Sequence, residues 1–189
     1  VHDNATRQAR LIEELLDFSR VSSGRFDLER EEVEVGTLVR GVVESLLPET
    51  VAKGVTLEFP PAPPARVVGD RNRLEQVFFN LLGNAVKFTP SGGHVAVSVE
   101  NGSDTVEVRV ADTGMGIEPE LLPFVFDRFK QGARAAGREY GGLGLGLSIA
   151  RQLVEAHEGR ISVESPGRGR GTTFSVALPA AGEHRMAHG

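Results

Sequence analysis

Apolar residues recur at helical spacing in the first part of the chain and at alternate positions later, and this switch sets the order of elements. Over residues 4–22, Ala5, Ile12, Leu15, Leu16 and Ser19 share one side of a helix. Arg7, Arg10, Glu13, Glu14 and Asp17 cover the rest, and Gly24 supplies a stop. A lone helix does not bury such a stripe, so the segment reads as part of an incomplete bundle or as a helix folded onto its own domain. After a charged stretch, 27–34, a helix is predicted over 37–53. A strand over 55–59 and an extended proline-rich loop, Pro60, Pro61, Pro63 and Pro64, come next. Asp70 caps a helix running to about Phe88.

Alternation then takes over. Val95, Val97 and Val99 line one face of a strand, and Val106, Val108 and Val110 line one face of the next. Asn101-Gly102 turns the chain between them, which makes a hairpin. Residues 130–142, rich in glycine, alanine and arginine and without periodicity, read as a mobile loop. A helix over 143–156 and a second hairpin, 160–165 with 172–178, complete the pattern, and 180–189 reads as a disordered tail. Helices alternating with antiparallel hairpins, without βαβ crossovers, predict an α+β two-layer sandwich rather than a doubly wound nucleotide fold.

Composition narrows the functional classes. With 40% apolar and 25% charged residues among 189, a packed domain with a real core is expected. A net charge of −5 argues against a general nucleic-acid binder, which needs a basic face, but leaves room for a small anionic ligand. There are no cysteines, hence no disulfides or thiolate metal sites, and no apolar run long enough to span a bilayer. A cytoplasmic location without direct membrane contact is expected, either free or as the cytoplasmic part of a membrane-anchored sensor.

On the helix from Asp70, Leu74, Val77, Phe78, Leu81 and Ala85 form the buried face. Asn80, Asn84 and Lys87 make a second, polar line about 100° away. Neutral amide oxygens suit a magnesium ion whose negative ligands come from a triphosphate, and lysine supplies a point charge for phosphate. A merely solvated face explains the same line equally well. The second hydrophobic strand runs into Asp112-Thr113-Gly114-Met115-Gly116. A carboxylate there accepts a hydrogen bond from an exocyclic amine such as that of adenine, while glycines admit a flat ring. An Asx-type turn is the plainer reading. Phe124-Val125-Phe126-Asp127-Arg128-Phe129 reads as core, with Arg128 able to reach a phosphate. Gly141-Gly142-Leu143-Gly144-Leu145-Gly146-Leu147 opens a helix and exposes amides to an anion. Gly169-Arg170-Gly171-Thr172-Thr173 leads into the last strand, where a plain hairpin turn suffices.

Taken in order, the asparagine helix, Asp-x-Gly-x-Gly, Phe-x-x-Phe and Gly-Leu-Gly-Leu-Gly resemble the N box, first glycine box, F box and second glycine box of sensor histidine kinases. Those kinases share a fold with DNA gyrase, the large heat-shock chaperone ATPases and mismatch-repair ATPases. The resemblance covers 37–179, and residues 1–26 are similar to the second helix of the dimerisation and phosphotransfer hairpin, with 27–36 as linker. It implies a mixed, mostly antiparallel sheet packed on helices, preceded by one long helix. It also implies ATP and Mg²⁺ as cofactors, a response-regulator receiver domain as partner, and a homodimer through the hairpin. Asn84 would hold Mg²⁺, with Asn80 and Lys87 at the phosphates and Arg128 facing the γ-phosphate. Asp112 would hold the adenine amine, with Gly114 and Gly116 allowing close approach. Phe88, Ile117, Phe129, Thr172 and Thr173 would border the base. Gly142, Leu143, Gly144, Leu145, Gly146 and Leu147 would form the hinge of an ATP lid and the phosphate-side wall.

Two positions depart from that family. The usual His-Gly-Gly reads His157-Glu158-Gly159, a turn variation expected to be tolerated. No His-(Glu/Asp)-x-Arg-(Thr/Asn)-Pro box exists, and neither His2, His94, His157, His184 nor His188 stands in that context. The resemblance therefore implies ATP binding without autophosphorylation by these residues alone, the acceptor belonging to a hairpin helix before Val1. A self-contained ATPase and a non-catalytic nucleotide sensor are the alternatives. The ATPases of the family place a glutamate where Asn80 stands, so slow hydrolysis is expected.

Overall fold

The structure is a computed structural model and describes residues 28–127 and 144–182. The helix predicted over 1–26, the whole of the 130–142 loop, and residues 183–189 of the predicted tail lie outside the described residues. So do the site candidates Arg128, Phe129, Gly142 and Leu143.

Five strands form a sheet in the order β2-β4-β5-β7-β6: β2 (Thr56–Glu58), β4 (His94–Asn101), β5 (Thr105–Asp112), β7 (Thr172–Pro179) and β6 (Arg160–Glu164). Strand β2 runs parallel to β4 and the other pairings are antiparallel, so the sheet is mixed as expected. The valines at alternate positions of β4 and β5, together with Phe174, Val176 and Leu178, bury one face. Against it pack α1 (Val35–Lys53), α2 (Arg71–Phe88) and α3 (Gly146–Ala156). The result is the two-layer α+β sandwich that the periodicity predicts. Among the described residues no helix is long and apolar enough to cross a membrane.

The helix ends follow from local chemistry. Glu34 caps α1 by accepting from the amides of Gly36 (3.2 Å) and Thr37 (2.6 Å). Gly54, at φ 70°, ends it in the left-handed conformation that glycine adopts without strain. Asp70 caps α2, accepting from the Arg73 amide at 3.1 Å.

Four boundaries differ from the sequence reading. Residues 27–36, read as linker, contain β1 (Glu31–Glu34) and the first turn of α1. β1 pairs antiparallel with β3 (Arg66–Gly69), a strand that was not expected, in a separate two-stranded sheet. Each is four residues long, too short for alternation to emerge, and in β1 the only apolar residue is Val33, which is fully buried. α3 begins at Gly146 rather than Leu143, because Gly144 adopts φ 69° and breaks the helical path. The chain also stays ordered past 179: Ala180 bridges Val67, and the amides of Ala180 and Ala181 donate to Asp104 and Arg66 carbonyls.

Candidate functional site

α2 is the spine of the site. Its apolar face, Leu74, Val77, Phe78, Leu81, Leu82, Ala85 and Val86, is buried, which fixes its rotation and leaves Asn80, Asn84 and Lys87 half-exposed along one line. At one end of that line the Asn80 amide nitrogen donates to the Gly146 carbonyl at 3.2 Å, joining the polar line to the first residue of α3. At the other end Lys87 places its ammonium 5.0 Å from the centroid of the Phe88 ring. The amide of Met115 donates to the Phe88 carbonyl at 3.2 Å. A Cβ on Gly114 would stand 2.6 Å from that same carbonyl oxygen, so only glycine lets the loop come this close. The asparagine line therefore runs between the two glycine segments and touches both.

Asp112 ends β5, with Oδ1 accepting from the Gly114 amide at 2.8 Å, the Asx-type contact anticipated as the plainer reading. Burial pushes its carboxyl above the ordinary value, and the amides of Gly114 and Thr172 pull it back. A carboxylate has about four lone-pair sites, so those two amides leave capacity for an incoming amine. The Asx-type contact thus does not use up the carboxylate.

Thr172 pairs with Asp112 across β5 and β7, and Thr173 with Ala111. Thr172 is buried and Thr173 half-buried, and both lie beside the end of β5 that carries Asp112. The turn before them is more than a hairpin connection. The Gly169 amide donates to the Met115 carbonyl at 2.6 Å, and the Gly171 amide to the Gly114 carbonyl at 3.2 Å. Gly116 (φ 65°) and Gly171 (φ 75°) each turn back where a side chain would collide with the opposite loop, at the carbonyls of Gly167 and Asp112. Ser165 ties the two loops: its hydroxyl accepts from the Ile117 amide at 2.9 Å and donates to the Gly171 carbonyl at 2.7 Å. Sequence reasoning missed Ser165. The only signal was the run of alternate glycines 167, 169 and 171 mirroring 114 and 116.

Of the remaining candidates, Ile117 and Leu147 are half-buried and pack against the core. Leu145 is completely buried, so it belongs to the core rather than to a ligand-facing surface. Phe126, half-buried, meets Phe174 edge-on with ring centroids 6.2 Å apart, which supports the core reading of that cluster, whereas Phe124 is exposed. His157 has a structural post. Fully buried, its Nε2 accepts from the Asp70 amide at 2.9 Å and its Nδ1 lies 2.7 Å from the Leu153 carbonyl, so it pins the end of α3 to the cap of α2.

An acceptor for an amine past the C-terminal end of α2, and amides with an ammonium along its polar line, can orient a nucleotide with its base at Asp112 and its phosphates along α2. Among the described residues no group of carboxylates or imidazoles could hold a metal by itself. Residues 69–182 match the family described as histidine kinase-, DNA gyrase B- and HSP90-like ATPases. The chain is 37% identical over 183 residues to the circadian input-output histidine kinase CikA of Thermosynechococcus vestitus, covering 95% of this chain and 25% of that protein. It therefore spans about a quarter of that relative. The mycobacterial sensor histidine kinase MprB superposes with a TM-score of 0.72 at 31% identity, over 79% of this chain and 98% of that one. The histidine kinase ThkA, solved in complex with the response regulator TrrA, gives 0.74 at 27% identity over 97% of this chain and 50% of that one. The chain belongs to the histidine kinase-, DNA gyrase B- and HSP90-like ATPases and is the histidine kinase form of their ATP-binding domain.

Proposed function

We propose that this domain binds ATP with Mg²⁺ and presents the γ-phosphate to a histidine on a helical hairpin, for onward transfer to a response-regulator aspartate. The observation that carries the reading is the contact of α2 with both glycine segments, through Asn80 to Gly146 and through Phe88 to Met115. In this reading the polar line of α2 takes the phosphates, and Asp112, reached past the C-terminal end of that helix, takes the base.

In this reading Asp112 accepts the exocyclic amine of adenine; guanine presents a carbonyl there and is repelled. Asn84 supplies a neutral oxygen to the metal and Lys87 a charge to the phosphates, with Asn80 held beside them by Gly146. Mg²⁺ would neutralise charge spreading over the transferred phosphoryl group, and the protein's part is positioning. The described residues offer no all-protein metal cage, in keeping with an ion that arrives on a triphosphate. The resemblance would add Arg128 and a lid over 130–142, which lie outside the described residues, to the phosphate side. The complex of ThkA with TrrA supports a receiver domain as the downstream partner, and dimerisation would run through the hairpin.

The test is a transfer assay. Purified protein with Mg-ATP and a separately supplied hairpin carrying the acceptor histidine is expected to produce acid-labile phosphohistidine on the hairpin, and no label on this domain alone. Absence of transfer despite measurable ATP binding would reduce the role to nucleotide sensing. Rapid turnover of ATP to ADP without a hairpin would make it a self-contained ATPase.

A further inference from the structure

Asn84 and Lys87 stand in the last turn of α2 (Arg71–Phe88). A helix ends there with carbonyls that have no partner within the helix, equivalent to about half a negative charge. That sign repels a triphosphate. The structure disposes of the four carbonyls one by one. Ala85 accepts from the amide and hydroxyl of Thr89, and Phe88 accepts from the Met115 amide. The other two, Val86 and Lys87, both accept from the ammonium of Lys53, at 2.7 Å for Val86. Lys53 is the final residue of α1, outside every motif that marks the nucleotide site. Its neighbour in charge is the Glu49 carboxylate one turn earlier.

We propose that Lys53 is an electrostatic positioning residue for the nucleotide: its ammonium, held on the Val86 and Lys87 carbonyls, cancels the negative end of α2 and admits a polyphosphate to Asn84 and Lys87. The proposal rests on the nucleotide reading above. It differs from simple helix capping in one consequence, that the contribution of Lys53 grows with the charge of the ligand. Helix packing alone affects all adenine ligands alike.

The experiment measures the affinities of ATP, ADP and adenosine, with magnesium, by calorimetry and competition, for wild type, Lys53→Gln, Lys53→Met and Lys53→Arg. Lys53→Gln removes the charge and keeps a donor for one of the two carbonyls; Lys53→Met removes charge and donor and serves should Lys53→Gln fail to fold. Arg109→Met, which removes a positive charge from a side chain 48% exposed on the open sheet face, is the control. The neutral Lys53 variants are expected to weaken ATP by roughly fivefold, ADP by less and adenosine by under about twofold. Lys53→Arg and Arg109→Met should stay near wild type. An equal loss for all three ligands, or no loss for ATP, overturns the proposal. Failure of the wild type to bind Mg-ATP overturns the nucleotide reading itself and this proposal with it.

Discussion

At the scale of single residues, Asp112 is held between opposing influences. Burial pushes its carboxyl above the ordinary value, and the amides of Gly114 and Thr172 oppose that rise and aim the carboxyl. Asp112→Asn keeps the shape and loses the charge. It should weaken ATP by about 1.5–3 kcal/mol, which is roughly 10- to 100-fold in Kd by calorimetry; an unchanged Kd removes the adenine assignment. Ser165→Ala orphans the Ile117 amide and the Gly171 carbonyl, and should lower unfolding stability by about 1–3 kcal/mol in urea titration. ATP affinity should fall with it, because the loop carrying Asp112 loses its brace. Asp112 was legible in the sequence because a carboxylate between a hydrophobic strand and two glycines has a local signature. Ser165 was not. Its partner Ile117 lies 48 residues away in sequence, brought near only by the pairing of β5, β7 and β6.

At the scale of elements, the join between α3 and the cap of α2 depends on His157 and the residue after it. Burial lowers the His157 pKa below 6.5, so the folded state holds the ring neutral, with Nε2 accepting from the Asp70 amide. The unfolded chain binds the proton near 6.5, so it takes up more protons than the fold as pH drops. Stability from this group is complete above about 6.5 and declines as pH falls below it. Arg30 adds to the downward shift and Asp70 opposes it. Thermal melts between pH 7.5 and 5.5 should show the decline, and His157→Gln, which can hold both partners without titrating, should flatten it. Next to it, Glu158 takes φ 60°, the only non-glycine residue with positive φ among those described. This is the position where the resembling kinases have glycine, so the departure seen in the sequence is a strained one. Glu158→Gly should stabilise by about 0.5–1 kcal/mol: relief of left-handed strain outweighs the exposed ion pair with Arg30. Helices and long strands were legible from their periods, whereas β1 and β3 were not, since four-residue strands show their partners only after the chain folds.

At the scale of the whole molecule, the proposed function makes one helix serve both core and ligand, which would link nucleotide binding to global stability. α2 buries seven side chains against the sheet and its neighbours, and in the proposed function its other line faces the nucleotide. Ligand that binds only the folded state must then raise the melting temperature, by about 2.7 kcal/mol at a hundred times Kd. For a domain of this size that corresponds to roughly 5–10 °C. Metal and base contributions should separate, because Asn84 and Asp112 sit at different places along the site. In Asn84→Ala, adding magnesium to ATP should give no further rise in melting temperature, while the shift from saturating adenosine stays as in wild type. In Asp112→Asn the pattern reverses: adenosine loses its shift and the magnesium increment on ATP persists. Such a crossed result cannot come from general loosening of α2, which would diminish both shifts in both variants. If both variants lose both shifts together, Asp112 and the polar line of α2 do not act as separate base and phosphate sites.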